Sequence, residues 1–156
     1  MLPISLDGFA PRHYVHNLNY DKVLDMDRRE PETKPYAVYI DQNLPVDHQV
    51  QVNGEEMMSE QVFWERMRAL FVRLKRETGL EDVVVCAHPN RSRASIQQLS
   101  SFCEVVQFET EQWIRDSALV IAHASTALDF AVIFEKPTCF VALPEMQKSD
   151  QFPTTI

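Results

Sequence analysis

Short, wholly apolar runs separated by helical patterns constrain this chain more than any other feature. Three stand out, Tyr36-Ala-Val-Tyr-Ile40, Asp82-Val-Val-Val-Cys-Ala87 and Ala118-Leu-Val-Ile-Ala122, with Glu104–Phe108 and Thr138–Ala142 as further short strands. A strand with one wet face alternates apolar and polar residues, whereas a strand covered on both faces stays apolar throughout. Strands of the second kind, alternating with helices, predict a parallel sheet with helices on both faces. Right-handed crossovers then give a doubly wound order. The expected fold class is α/β, a Rossmann-like parallel sheet.

The helices follow from period and punctuation. From about Glu55 to Thr78, Val62, Phe63, Met67, Leu70, Phe71 and Leu74 recur at three and four residues, opposite Glu65, Arg66, Arg68, Arg73 and Lys75. Gly79 is a natural stop. A polar helix is expected over Ser92–Ser101, and a single segment over Glu111–Ser117 capped by Thr110. Ser125 is expected to cap a helix through Phe134, with Leu128, Ala131 and Val132 inward. Residues 1–35, punctuated by Pro3, Pro11, Pro31 and Pro35, read as an irregular lead-in with at most a short helix over Tyr20–Met26. Residues 36–143 form the domain and 144–156 a polar tail. No closing helix follows the last strand, so one flank of the sheet is expected to be bare and the chain to be one half of a larger protein.

Composition excludes several classes. The net charge of −8 opposes sequence-independent nucleic-acid binding, which relies on Lys and Arg neutralising phosphates. Cys86, Cys103 and Cys139 have no CxxC spacing and read as small core hydrophobes in a reducing compartment. His13, His16 and His48 lack metal-ligand spacing, and no metal or cofactor is expected. With three glycines, the chain carries neither a Gly-x-Gly-x-x-Gly nor a phosphate-cradling Walker loop. Trp64 and Trp113 fall within helical patterns and read as packing residues. Met1–Ala10 lacks the features of a secretory signal, and no run approaches the length of a membrane span. The expected location is cytoplasmic, at most peripheral to the inner membrane.

In an open parallel sheet, ligands sit beyond the carboxyl ends of the strands. The residues there are Asp41-Gln42-Asn43, His88-Pro89-Asn90-Arg91, Glu109-Thr110 and His123-Ala124-Ser125-Thr126. Pro89 gives a rigid exit that carries His88 off the sheet edge, where an imidazole can donate to a phosphate oxygen. Arg91 would add a fork suited to phosphate or carboxylate. Ser125 and Thr126 would supply hydroxyls at a helix N-terminus, a ready anion site. The competing reading is structural: a His-Pro that ends a strand and a Ser that only caps a helix, the latter worth about 1 kcal/mol.

The order of these motifs, including Tyr36–Gln42, Val85-Cys-Ala-His-Pro89, Leu119-Val-Ile-Ala-His-Ala-Ser-Thr-Ala127 and Phe134-Glu-Lys-Pro137, resembles the C-terminal half of GT-B glycosyltransferases. The likeness is to the sialyltransferase and Kdo-transferase type of bacterial surface and capsular polysaccharide synthesis, and spans about residues 14–142. It implies that His88 and Pro89 contact the donor phosphate and assist departure of the nucleotide, that Ser125 and Thr126 bind the same phosphate, and that Asp41 and Gln42 border the cleft. The displacement of the basic residue by Asn90 departs from the pattern. The resemblance further implies a nucleotide-sugar donor, a CMP-activated acidic sugar before a UDP-sugar, no catalytic metal, and an N-terminal acceptor domain carrying the base. The alternative is a non-catalytic Rossmann-like binding module.

Overall fold

The computed structural model describes residues 18–26, 34–44 and 58–143. The expected tail, the N-terminal turn of the long helix and most of the lead-in lie outside the described residues. In chain order the elements are α1 (Leu18–Asp25), β1 (Tyr36–Ile40), α2 (Glu60–Thr78), β2 (Asp82–Ala87), α3 (Arg93–Leu99), β3 (Glu104–Gln107), α4 (Thr110–Asp116), β4 (Leu119–Ala122), α5 (Leu128–Ile133) and β5 (Thr138–Phe140).

The five strands form one sheet in the order β3-β2-β1-β4-β5, and every neighbouring pair is parallel. This is the Rossmann-like α/β arrangement the apolar runs predict. Ala37 and Tyr39 of β1, with Val83, Val85 and Ile121, pack against Phe63, Met67 and Phe71 of α2 and Leu99 of α3. The intervening residues Val38, Ile40, Cys86, Val120 and Ala122 pack on the other face against Ile114 of α4 and Phe130 and Ala131 of α5. Burial of each large aliphatic or aromatic side chain contributes about 1.5–3 kcal/mol. With both faces covered, neither set of positions can be polar.

Local chemistry sets the helix ends. Ser59 Oγ accepts from Val62 N at 3.3 Å to start α2. Gly79, at φ +74°, ends it with its N–H on Lys75 O. The buried stripe of α2 is Phe63, Trp64, Met67 and Phe71, while Val62, expected inward, is exposed. Ser92 caps α3.

Two helices start differently from expectation. Glu109, not Thr110, occupies the cap position of α4, and no side chain caps it. Thr110 lies instead on the Cys86 side, where its hydroxyl lowers the pKa of that thiol. α5 starts at Leu128 rather than beside Ser125, after a tighter turn in which Leu128 N, Asp129 N and Phe130 N donate three residues back. That turn resets the phase of the helix. Phe130 and Ala131 face the sheet, and Val132 is 77% exposed.

α1 lies within the expected lead-in, yet it belongs to the folded unit. Asn19 Nδ2 donates to Thr126 O at 3.0 Å and Asp129 Oδ2 at 3.2 Å, and Val23 packs on the α4–α5 side of the core. Among the described residues no helix is long and apolar enough to cross a membrane.

Candidate functional site

Strand order reverses between β1 and β4, so the carboxyl ends of these strands and of β2 frame the crevice where such sheets bind ligands. Gln42 spans the reversal: its Oε1 accepts from Ala124 N at 3.0 Å and ties the exit of β1 to that of β4.

Asp41 is the hub beside it. Its carboxylate accepts from Asn43 N at 2.9 Å and His88 N at 3.1 Å. It also takes a two-pronged bond from Arg91, Nε to Oδ2 at 2.8 Å and Nη2 to Oδ1 at 2.6 Å. Both side chains are essentially inaccessible, at 1% for Arg91 and 0% for Asp41. Arg91 continues to Glu60 at 2.7 Å and Leu44 O at 3.3 Å, and its guanidinium lies 5.3 Å from the centre of the Trp64 ring. Burial works against the guanidinium charge, but the bonds and charges of Asp41 and Glu60 outweigh it and raise its pKa further.

Arg91 is therefore not the phosphate fork the sequence suggests. It points to the α2 face, and both carboxylates it meets are already satisfied by it. Its physical role is to fasten the β2 exit to the β1 exit and to the first turn of α2. Ser95 Oγ adds a bond to the same Glu60 at 2.8 Å, drawing in α3.

On the opposite, α1–α4–α5 side of the sheet, a cavity of about 370 Å³ opens at the strand ends. His88, Pro89, Ser125, Thr126 and the edge of Asp41 all line it, so the two loops singled out in sequence meet at one place. Asn90, Arg91 and Gln42 do not line it. Asn90 acts through its backbone, donating N–H to His88 Nδ1 at 3.1 Å. An Nδ1 that accepts this bond leaves the ring proton on Nε2, so His88 presents an Nε2–H donor. Gln107 Nε2 holds the carbonyls of His88 and Pro89 at 3.0 and 3.2 Å. The His-Pro loop is thus pinned from β1, β3 and its own following residues.

Ser125 Oγ accepts from Ala127 N at 3.1 Å, which orders the turn and leaves the hydroxyl proton available to a ligand. Thr126 is exposed, and its carbonyl receives Asn19.

Several lining residues were not legible as site residues. α1 brings Asn19 and Lys22 to the cavity, and the turn from β3 to α4 brings Phe108 and Glu111 beside the expected Thr110. Lys22 supplies a cation that offsets, locally, the acidic balance of the chain. Nothing in a charged run near the N-terminus signals that it docks at residue 126. Phe108 is the first residue beyond β3, but it falls inside the strand expected over Glu104–Phe108.

The lining thiol is inert. Burial, partly offset by the Thr110 hydroxyl, pushes Cys86 up to about 12, and burial likewise pushes Cys103 up to about 12. A neutral thiol at that position is a core group, as the sequence reading holds.

His123, directly after β4, faces the α2 side. Its Nδ1–H donates to Val141 O at 2.6 Å, and burial lowers its pKa against the raising effects of that bond and of Asp41. Its Nε2, Tyr39 OH and Trp64 Nε1 are buried without a hydrogen-bond partner, and the Tyr39 ring lies 5.8 Å from His123 and 6.0 Å from Trp64. Among the described residues no three His, Cys, Asp or Glu side chains gather as a metal site. No protein-family model, curated protein or solved structure matches the chain.

Proposed function

We propose that the cavity binds a nucleotide sugar through its phosphate, and that the chain is the donor-binding half of a glycosyltransferase of surface polysaccharide synthesis. One observation supports this above the others: the His88-Pro89 and Ser125-Thr126 loops line one cavity together with Lys22. The Nε2–H of His88, two hydroxyls and one ammonium form a donor set suited to a phosphate. Each bond to that anion strengthens as charge develops on the departing nucleotide, which is how His88 assists the leaving group. Because α5 is six residues long and begins beyond Ser125, side chains rather than a helix dipole carry the grip. A CMP-activated acidic sugar is the favoured donor and a UDP-sugar the next, with a separate acceptor domain supplying the base.

A second reading, a binding module without catalysis, draws on the acids of the cavity. Among the described residues the acidic residues lining it are Asp41 and Glu111, and the Asp41 side chain is buried against Arg91, which leaves Glu111 as the acid a ligand could meet. Calorimetric titration with CMP, UDP and their sugars tests the common core of both readings. Binding of a cytidine nucleotide is expected, and His88→Ala should weaken it by about 1–3 kcal/mol. Absence of any binding at millimolar nucleotide would end the proposal. Release of free sugar from a nucleotide sugar, lost in His88→Ala, separates the enzyme from the module.

A further inference from the structure

Phe108 combines three properties that packing does not explain. It sits at φ +70°, a backbone region that bulky side chains enter only under constraint. It is 71% exposed, so burial does not compensate the conformational cost. And it lines the cavity.

The other described non-glycine residues at positive φ have local reasons. Asn43, at +59°, is a residue type that tolerates this region, and its N–H is bonded to Asp41. Glu135, at +52°, ends α5, where Lys136 N reaches back to Ala131 O. Phe108 occupies the turn from β3 to α4, where glycine or asparagine would take the backbone at less cost. A strained residue kept in the open at the edge of a cavity points to a role for its side chain.

The surroundings define that role. Ala87 pairs with Gln107 in the sheet, so His88 and Phe108 are the next residues on adjoining strands. Gln107 Nε2 bonds to His88 O and Pro89 O, which fixes the Phe108 turn to the His-Pro loop. Phe108 therefore stands next to the loop that carries the donors proposed for the phosphate. Planar aromatic surface next to an anion site matches a nucleotide, whose base has an apolar face and whose phosphate does not.

We infer that Phe108 is the stacking platform for the nucleotide's base, holding the ring while His88, Ser125 and Lys22 hold the phosphate. This rests on the nucleotide reading of the cavity, and a baseless probe separates the two. Stacking on an aromatic side chain contributes enough that its removal weakens binding about ten-fold or more.

The test compares CMP with ribose 5-phosphate, by NMR titration of wild type, Phe108→Gly and Phe108→Trp. Phe108→Gly should weaken CMP about ten-fold or more and leave ribose 5-phosphate unchanged, and Phe108→Trp should restore CMP. Because glycine relieves the backbone, Phe108→Gly should also melt no lower than wild type, so lost affinity cannot be ascribed to lost fold. Equal affinity of Phe108→Gly and wild type for CMP overturns the inference and leaves the phosphate reading standing. Equal weakening of both probes also overturns it, since the residue would then shape the loop. If neither probe binds the wild type, the nucleotide reading itself falls, and the platform with it.

Discussion

Replacing Arg91 by Met removes the cation while keeping an unbranched stem beside Trp64. Four hydrogen bonds disappear: two to Asp41, one to Glu60 and one to Leu44 O. The Asp41 carboxylate, fully buried, is left with two backbone donors, His88 N and Asn43 N. Removing one partner of a buried pair costs about 3–5 kcal/mol, because the remaining charge stays desolvated. The two surviving donors place Arg91→Met near the lower end, about 3 kcal/mol. A domain of this size has about 5–15 kcal/mol in total, so the loss is a large share.

Asp41→Asn is milder, since Arg91 keeps Glu60 as counter-charge, and about 1.5–3 kcal/mol is expected for the weakened charged bonds. The double variant should fall short of the sum by about 1–3 kcal/mol, the signature of coupled neighbours. Urea unfolding at neutral pH, followed by circular dichroism and tryptophan fluorescence, measures all three. An Arg91→Met cost under about 1 kcal/mol, or strict additivity within about 0.5 kcal/mol, would refute the buried-pair reasoning.

Acid stability should depend on His123. Burial holds its folded pKa below the ordinary 6.5, so the unfolded chain takes up the proton first as pH falls. Stability should be level above 6.5 and decline below it, until the folded pKa is passed. His123→Leu should flatten that slope, and an unchanged slope would show that other groups govern it. Gly79→Ala should cost about 1–2 kcal/mol from the left-handed backbone alone, since an added Cβ meets nothing within 4 Å. Thermal unfolding reads it, and a neutral effect would mean the α2 terminus shifts to accommodate the side chain.

The fold was legible because burial on both faces leaves a composition signal that survives without tertiary knowledge. β1 and β2 end at the expected residues, and β3, β4 and β5 differ by one or two at their ends. The inward face of α5 departs from expectation for a physical reason. Its leading turn is tighter than an α-helix, so Phe130 and Ala131 face the sheet and Val132 does not. The meeting of His88 with Ser125 was accessible from topology, since residues beyond parallel strands converge at one edge. Lys22 was not accessible, because α1 reaches the cavity through Asn19 and Thr126, more than a hundred residues apart.

Arg91 shows where residue type ceases to indicate role. An arginine just past a His-Pro suits a phosphate and suits a buried carboxylate equally well, and sequence offers no means of choosing. The partner is Asp41, 50 positions away, and the same carboxylate accepts the N–H of His88. Through that bond the ion pair on one face of the sheet holds the backbone of His88, which lines the cavity on the other. The two roles separate in experiment. A phosphate-binding arginine would lose affinity and keep stability, whereas Arg91 should lose stability first, and ligand affinity only as far as the His88 loop loosens. Arg91→Lys sharpens the contrast: it keeps a charge for a phosphate but cannot reproduce the fork on Asp41. On the buried role it should behave like Arg91→Met in unfolding, and native stability in Arg91→Lys with weakened nucleotide binding would assign the residue to the ligand instead.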